Sequence, residues 1–222
     1  MLQYGKINTS STYVNWVQPT LTSNGSYGVD NFAVKASAVY STHYCYYAFD
    51  NNSGNHYCAN GTANPIIYMY SKNKLKISKI TFTGYSSGSH QFTWSGATLY
   101  GSNDDNTWTQ LGSNTSPGSS STTPWSITVT NSTPFNYFKI QTNAGSNATA
   151  MNQIDITAQY LTTQLNSITF PMSFSNTYYG FSHCYVGGIE NSSYLTSKTT
   201  SSIGLSGVTG TASSAYWIAC GY

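Results

Sequence analysis

Apolar and polar residues alternate in short stretches along most of the chain, and few stretches place apolar residues at helical spacing. Residues 75–82, 126–129, 135–140 and 154–157 are rich in β-branched and aromatic side chains, which is typical of strands. Clusters of Gly, Asn, Ser and Pro separate these stretches at the intervals expected of an antiparallel sandwich or barrel. The pattern therefore predicts an all-β protein.

The pattern also predicts two units that follow an N-terminal segment. We place the first unit in residues 18–160 and the second in residues 164–222, with residues 161–163 as the joint. Residues 1–17 are interpreted as an extended arm or as the end of a longer shaft. The Ser- and Thr-rich stretch 113–123 is typical of a long polar loop.

Charge is scarce, and this changes the range of functions to consider. Only 6% of the residues are charged, against about 25% in an average soluble domain. All eight basic residues are lysines and the net charge is +2, whereas nucleic-acid binding draws on clustered Lys and Arg. The 15% of aromatic residues argues against disorder. Neutral polar groups and exposed rings are suited to sugars, which are uncharged polyols with apolar faces.

Targeting signals are absent from the sequence as given. No apolar run approaches the roughly 20 residues that cross a bilayer, and the first residues lack the charged and apolar regions of a signal peptide. We therefore expect no membrane insertion and no export by the Sec route. An adhesin-like composition without an export signal is typical of a virion protein that leaves the cell by lysis.

Several motifs in the first unit resemble those of one known family. Discoidin domains (coagulation-factor type C, close to family-32 carbohydrate-binding modules) carry an Ala-aromatic-Asp-Gly-Asn turn followed by an apolar strand, and later a strand, a Gly-Ser-Asn-Asp turn and a Thr-Trp strand start. The residues similar to these motifs are 48–52 with 65–68, 78–82, 97–111, 137–140 and 153–156. The resemblance implies a jelly-roll β-sandwich that binds its ligand in loops at one end.

Three loops between the core strands contain the candidate glycan contacts. Residues 40–47 form the first loop, residues 85–94 the second, and a third leads to Trp125. A Tyr or Trp ring can stack on the apolar face of a sugar while neighbouring polar groups bind its hydroxyls. The alternative that each ring is core or pins its loop stays open. The candidate residues are Tyr44, Tyr46, Tyr47, His90, Trp94 and Trp125.

The resemblance also implies a structural calcium ion in many members of the family. The ion is held partly by the turn Asp, a downstream Thr and a late Glu. Asp50 matches the first of these, while Asn55 and Gln153 stand near the positions of the other two. Because calcium favours charged carboxylate oxygens, these residues form only a weak calcium site, and no other cofactor is expected.

The last 60 or so residues resemble the C-terminal domain of phage tail fibre proteins. Residues 168–177 are similar to its opening strand and turn, and residues 216–222 to its closing aromatic-Trp-Ile-Ala-apolar-Gly-Tyr motif. The resemblance implies a compact β-sandwich that trimerises and caps the fibre. A β-domain of this size is marginal alone, and packing around a threefold axis would cover its apolar last strand. A monomeric sandwich stays open as the alternative.

The tripeptide His-Tyr-Cys occurs twice and allows several interpretations. Residues two apart on a strand face the same side, so His43, Cys45, His56 and Cys58 could supply a tetrahedral zinc set. A Cys45–Cys58 disulfide and unlinked thiols are the alternatives, the latter favoured by folding in a reducing cytosol. The lysine cluster forms a solvated face or steers the protein toward an anionic polymer; it contains Lys72, Lys74, Lys76 and Lys79.

The interpretation that joins these observations is a phage tail fibre tip. We expect a non-catalytic receptor-binding protein that acts as a homotrimer, joins the rest of the tail fibre, and binds host cell-surface carbohydrate from the virion after folding in the host cytoplasm. Asp104 and Asp105 are adjacent on one turn, whereas glycosidases place two carboxyls across a sugar bond. A fibre-borne polysaccharide depolymerase, a purely structural trimerising cap and a bacterial surface adhesin are the alternatives.

Overall fold

The computed structural model describes residues 2–3, 6–59, 64–88, 90–116, 118, 122–144, 149–169, 180–186, 194–198, 202–206 and 214–220. The regular secondary structure of these residues consists of strands and one short 3₁₀ helix, Cys45–Phe49, and loops and turns join them, so the predicted all-β class is confirmed. None of the described helical segments has the length and hydropathy needed to span a membrane. The chain divides into two compact units, Asn15–Tyr160, and Met1–Val14 with Leu161–Tyr222.

The strands are numbered in chain order. They are β1 Leu2–Gln3, β2 Lys6–Trp16, β3 Phe32–Ala36, β4 Tyr57–Ala59, β5 Ile66–Gly84, β6 Ser86–Ser87, β7 His90–Gln91, β8 Trp94–Ser102, β9 Thr109–Thr115, β10 Trp125–Thr128, β11 Phe135–Ala144, β12 Thr149–Thr169, β13 Gly180–Val186, β14 Tyr194–Lys198, β15 Ser202–Ser206 and β16 Ser214–Cys220.

Strand β5 organises the unit Asn15–Tyr160. Its first part, from Ile66 to Ser71, pairs antiparallel with β3 on one side and β11 on the other. Its second part, from Leu75 to Gly84, pairs antiparallel with β12, while β10 pairs with it on the opposite edge. Strands β8 and β9 extend the first group beyond β11, and β4 extends the second beyond β12. One long strand thus belongs to both layers of a jelly roll.

The core lies between the two layers and follows the period of two of a half-buried strand. Within β5, Ile67 and Met69 are fully buried, while Ile66 and Tyr68 between and beside them are partly exposed. Large aromatic side chains fill the centre: the Phe82 ring stacks on that of Trp125 at 4.5 Å between centroids and meets that of Trp94 edge-on at 5.8 Å. Apolar burial of this kind is the main term that stabilises the fold.

A carboxylate holds the turn between β8 and β9. Oδ1 of Asp104 accepts hydrogen bonds from the backbone N–H of Thr107 (2.7 Å) and of Asn106 (3.0 Å), and from the Ser102 hydroxyl (2.8 Å). The neighbouring Asp105 has a left-handed backbone, with φ of 56°, which Asp tolerates better than most residues. The structure thus confirms that these two aspartates form the turn. The backbone bonds to Thr107 and Asn106 hold the pKa of Asp104 well below its usual range.

The second unit contains two described groups of strands. Strand β16 pairs antiparallel with β13 and, on its other edge, with β1, where Leu2 faces Cys220. Strand β15 pairs with β14 and with residues 167–169 of β12. The first strand of residues 1–17, β1, belongs to this unit because its backbone pairs with β16. Of the predicted opening segment 168–177 only residues 168 and 169, and of the closing motif only residues 216–220, lie within the described chain.

Candidate ligand-binding site

Two of the three predicted loops meet in the structure. The ring of Tyr40 lies 5.3 Å from that of His90, and the ring of His43 lies 4.6 Å from that of His90. The first loop is anchored to β4, because Tyr40 N–H donates to the Cys58 carbonyl (2.8 Å) and Cys58 N–H donates to the His43 carbonyl (3.3 Å). Residues that are about 50 positions apart in sequence therefore form one surface.

Three candidate tyrosines form an aromatic cluster on this surface. The Tyr44 and Tyr46 rings are nearly parallel, with 6.1 Å between centroids and 12° between planes, and the Tyr46 and Tyr47 rings lie 4.5 Å apart. Tyr44 is 42% exposed, and Tyr46 and Tyr47 are partly exposed. A hydrogen bond with Tyr47 raises the pKa of Tyr46 to about 12. The backbone N–H of Tyr46 donates to Asn24 Oδ1 (3.0 Å), which holds the cluster in place.

A small open pocket lies beside the tyrosine cluster. Its volume is about 150 Å³, and its lining residues are Thr42, His43, Tyr47, Gly54, Asn55 and His56. The side chains offer hydroxyl, imidazole and amide groups, which donate and accept hydrogen bonds without carrying a formal charge at neutral pH. Such a lining suits a neutral, hydroxyl-rich ligand.

Three histidines pack together at the base of this surface. Nε2 of His56 and Nδ1 of His90 are 2.9 Å apart, and the His43 and His56 rings stack at 4.3 Å between centroids. Burial, reinforced by His43 and His90, lowers the pKa of His56 to about 4. Burial and the charge of His90 also lower the pKa of His43, which a hydrogen bond to the His56 backbone partly offsets. The His43 and His56 rings are therefore neutral at pH 7.

The two candidate tryptophans lie elsewhere than the sequence suggested. Trp94 is 1% exposed and Trp125 is 8% exposed, and both rings pack on Phe82 in the core. Neither ring presents a face on which a sugar could stack. Each tryptophan is the first residue of a strand, Trp94 of β8 and Trp125 of β10. Its indole ring points inward together with the apolar residues of that strand. The candidate set that the structure brings together is therefore the three tyrosines and the partly exposed His90.

Amide hydrogen bonds hold the turn that was expected to form a weak calcium site. Asp50 accepts from the backbone N–H of Asn52 on Oδ1 (2.9 Å) and from the Asn55 side-chain amide on Oδ2 (2.6 Å). The Asn152 amide of β12 donates to the carbonyls of Ser53 (3.1 Å) and Asn55 (2.8 Å). Nitrogen donors thus already engage the oxygens of this loop.

The third candidate ligand also has a different partner. The Gln153 amide donates to Asp155 Oδ1 at 3.2 Å. A calcium ion needs six to eight converging oxygen ligands. Its positive charge would repel the N–H groups that point at these oxygens. The residues present at Asp50, Asn55 and Gln153 therefore do not fit a calcium ion.

Cys45 and Cys58 are buried and are free thiols in the structure. Burial raises the pKa of both Cys45 and Cys58, the latter to about 11. A thiol binds metal as the thiolate, so this environment opposes metal binding by either one. The group that His43 and His56 join contains the imidazole of His90, which the tripeptide pattern did not indicate.

A second aromatic surface crosses the outer face of the sheet, and sequence reasoning missed it. The strand registers place Lys35, Tyr68, Lys139 and Tyr100 side by side across β3, β5, β11 and β8. Nζ of Lys139 lies 4.8 Å from the Tyr100 ring centroid and 4.7 Å from that of Trp108. These are cation–π distances. The row depends on the registers of four strands, which no local sequence signal reveals.

Lys35 has further partners on this face. Its Nζ lies 3.6 Å from the Tyr27 ring centroid and 3.8 Å from Asp105 Oδ2. The Tyr27 hydroxyl donates to Asp105 Oδ1 (3.1 Å), and burial together with this carboxylate raises the pKa of Tyr27. These charges and rings are thus paired with one another, whereas the tyrosine cluster adjoins an open pocket.

The layered β-architecture and the loop surface define a discoidin-like, carbohydrate-binding-module-like domain. Residues 33–166, more than half of the chain, match the model of the F5/8 type C domain. The chain therefore belongs to the F5/8 type C domain family. The family resemblance expected for the first unit is confirmed. No curated protein sequence matches the chain significantly.

Solved structures support the same fold. A family-32 carbohydrate-binding module from Clostridium perfringens, in complex with GalNAc-β-1,3-galactose, is 14% identical with a TM-score of 0.50 over 57% of this chain and 94% of its own. A second module from that organism, in complex with galactose, is 15% identical with a TM-score of 0.50 over 57% and 93%. The C-terminal domain of a Bacteroides fragilis chitobiase is 13% identical with the same TM-score over 58% and 93%.

Proposed function

We propose that the F5/8 type C domain binds a cell-surface glycan through the tyrosine cluster and its adjoining pocket. The observation that carries this proposal is the near-parallel pair of exposed Tyr44 and partly exposed Tyr46 beside a pocket with an uncharged polar lining. Sugar rings stack on such aromatic faces, and hydroxyl, amide and imidazole groups bind their hydroxyls. The two structural relatives from C. perfringens that are bound to galactose-containing ligands add support.

We further propose that the protein is the receptor-binding tip of a phage tail fibre and acts as a homotrimer at the end of the virion's tail fibre. The support is the likeness of residues 168–177 and 216–222 to the opening and closing segments of tail-fibre C-terminal domains. Threefold presentation would multiply weak single-site binding, because linked sites raise avidity without any new contact. In this role the partners are host carbohydrate, two further copies of the chain and the rest of the fibre, and neither nucleic acid nor the membrane interior.

A non-catalytic role accords with the places of the acidic side chains. Asp104 is engaged by three donors within its turn, and Asp105 by Lys35 and Tyr27. Asp50 is bound by two amide donors. Catalytic carboxyls of glycosidases must instead face each other across a substrate bond. The depolymerase alternative predicts that host polysaccharide incubated with the protein releases oligosaccharides.

The test of glycan binding compares two surfaces of the same domain. An array that includes galactose, GalNAc-β-1,3-galactose and bacterial surface polysaccharides is probed with the wild-type chain, with Tyr44→Ala and with Tyr100→Ala. Loss of a stacking ring costs about 1 kcal/mol or more, so Tyr44→Ala should weaken binding about fivefold or more. Tyr100→Ala, on the sheet face, is the matched control and should bind as the wild type does.

The outcomes separate the proposals. Loss of binding in Tyr100→Ala alone would move the glycan site to the sheet face and contradict the proposal for the loop surface. An array without any hit, from a protein that still forms trimers, would favour the purely structural cap. Binding to whole host cells before and after removal of their surface glycans then tests the receptor-binding role.

A further inference from the structure

The three clustered histidines come from separate segments of the chain. His43 lies in the loop before the 3₁₀ helix, His56 directly precedes β4, and His90 begins β7. One side-chain nitrogen of each lies within 4.8 Å of the other two. We propose that His43, His56 and His90 form a binding site for a divalent transition metal ion such as Zn²⁺. This proposal does not rest on glycan binding.

The ligand type and the spacing suit this class of ion. Imidazole nitrogen is a preferred ligand of zinc, copper and nickel, whereas calcium and magnesium prefer oxygen. Zinc binds imidazole at about 2.0–2.1 Å, so two nitrogens on one tetrahedral ion are about 3.3 Å apart. His56 Nε2 and His90 Nδ1 are already 2.9 Å apart. Side-chain rotations that move the ring nitrogens by roughly 1.5 Å or less would bring all three into contact with one ion.

A second, independent observation points to a missing partner. His56 is 7% exposed, and its Nδ1 has no hydrogen-bond partner among the described residues. Buried polar atoms are nearly always hydrogen-bonded or bound to an ion. The other ring nitrogen of His56 shares one proton with His90. An ion bound at Nδ1 of His56 would supply the missing partner and keep the hydrogen bond to His90, whereas an ion bound at Nε2 would replace that hydrogen bond by two metal bonds.

The surroundings supply a rigid frame and an open position. The His56 ring stacks on Tyr85 at 3.8 Å between centroids, and the Tyr40 ring packs edge-on against His90 at 5.3 Å. His43 and His56 also line the small pocket with Thr42, Tyr47 and Asn55. A fourth ligand, water or a hydroxyl group, can therefore reach the ion from the pocket. Three protein ligands and one open position are the arrangement of non-structural zinc sites.

The first experiment is titration calorimetry of the metal-free full chain with ZnCl₂ and, separately, with CaCl₂. We expect one zinc ion per chain and no saturable binding of calcium. His43→Asn and His90→Asn, which alter partly exposed rings, should each weaken zinc binding at least about tenfold, or 1.4 kcal/mol. The matched control is His183→Asn, which removes the fourth histidine of the chain and should leave the affinity unchanged.

A second measurement needs no variant. Zinc added to the ¹⁵N-labelled wild-type chain should shift the ring resonances of three of its four histidines in NMR spectra. With Co²⁺ in place of zinc, the visible absorption spectrum should show the bands of a tetrahedral ion without a thiolate-to-metal charge-transfer band. A charge-transfer band would assign the ion to a cysteine thiolate and overturn the proposal. The absence of saturable zinc binding, or equal affinity in His90→Asn, would overturn it as well.

Discussion

Asp104 illustrates how one exposed side chain can stabilise a turn. Its carboxylate receives two backbone N–H groups and one hydroxyl between β8 and β9. Hydrogen bonds to the ionised form favour that form, which is why the pKa of Asp104 lies well below the usual value of about 3.9. Since the unfolded chain has the usual pKa, ionised Asp104 favours the folded state.

We predict that Asp104→Asn lowers the stability of the domain in a pH-dependent way. A carboxyl whose pKa falls on folding stabilises above its unfolded pKa, and this contribution is lost as the pH falls toward the folded pKa. The difference between wild type and Asp104→Asn should therefore be constant above about pH 5 and shrink below about pH 4. Urea unfolding at pH 7, 5 and 3 measures it. Asn103→Ala, in the same turn, is the control, and an equal difference at all three pH values would contradict the prediction.

The residues of the candidate site could be predicted only in part. The tyrosines of residues 44–47 form a run that exceeds what alternation can bury, which is a sign of a loop surface. Trp125 was misplaced although Ile127 and Val129 follow it at a period of two, a signal that it points inward. The contact between His56 and His90 spans 34 positions, and nothing local in the sequence links these residues.

At the scale of elements, the hydrogen bonds of one side-chain amide join a strand to a loop. Asn152, near the start of β12, donates to two carbonyls of the loop that contains Asp50. Its amide N–H groups supply the positive partial charge that a cation would otherwise supply to such oxygens. The loop bears His56 and the pocket residues Gly54 and Asn55, so this junction also positions the candidate site.

We predict that calcium does not alter the melting temperature of the metal-free wild-type chain. In contrast, calcium should raise the melting temperature of the Asn152→Asp variant. The substitution removes both donors and turns a carboxylate toward two carbonyls. The two hydrogen bonds are lost and the carboxylate faces carbonyl oxygens at a partly exposed site, so the variant should melt at a lower temperature and recover partly in CaCl₂. Calorimetric melting with and without CaCl₂ tests this. A wild type that is stabilised by calcium would show that the amide network is not the resting arrangement.

Strand positions were easier to predict than strand extents. The stretches 126–129, 135–140 and 154–157 lie within or overlap β10, β11 and β12. Residues 75–82 were expected to form a strand of their own, yet they belong to β5, which begins at Ile66. The polar stretch 72–74 resembles a break between strands, and the structure shows it is where β5 leaves its partner β3. Pairing partners, which the sequence does not name, decide such cases.

At the scale of the whole molecule, the proposed homotrimer is the feature with the largest consequence. The unit that contains β13–β16, Met1–Val14 with Leu161–Tyr222, is small, and a domain of roughly 60–80 residues has too small a core to be very stable alone. We predict a molar mass near 72 kDa by light scattering, three times the 24.1 kDa of one chain. The molar mass should remain unchanged when the protein is diluted into the low micromolar range. A mass of one chain at every concentration would contradict the prediction.

Strand β5 also has a mechanical consequence. Because one continuous backbone is hydrogen-bonded into both layers, a load applied to the loops beside β4 and β7 reaches both layers through covalent bonds as well as through the packed core. We therefore expect the two layers to unfold together under load. In the proposed attachment role, this shared strand would resist mechanical load in a chain of which only 6% of the residues are charged.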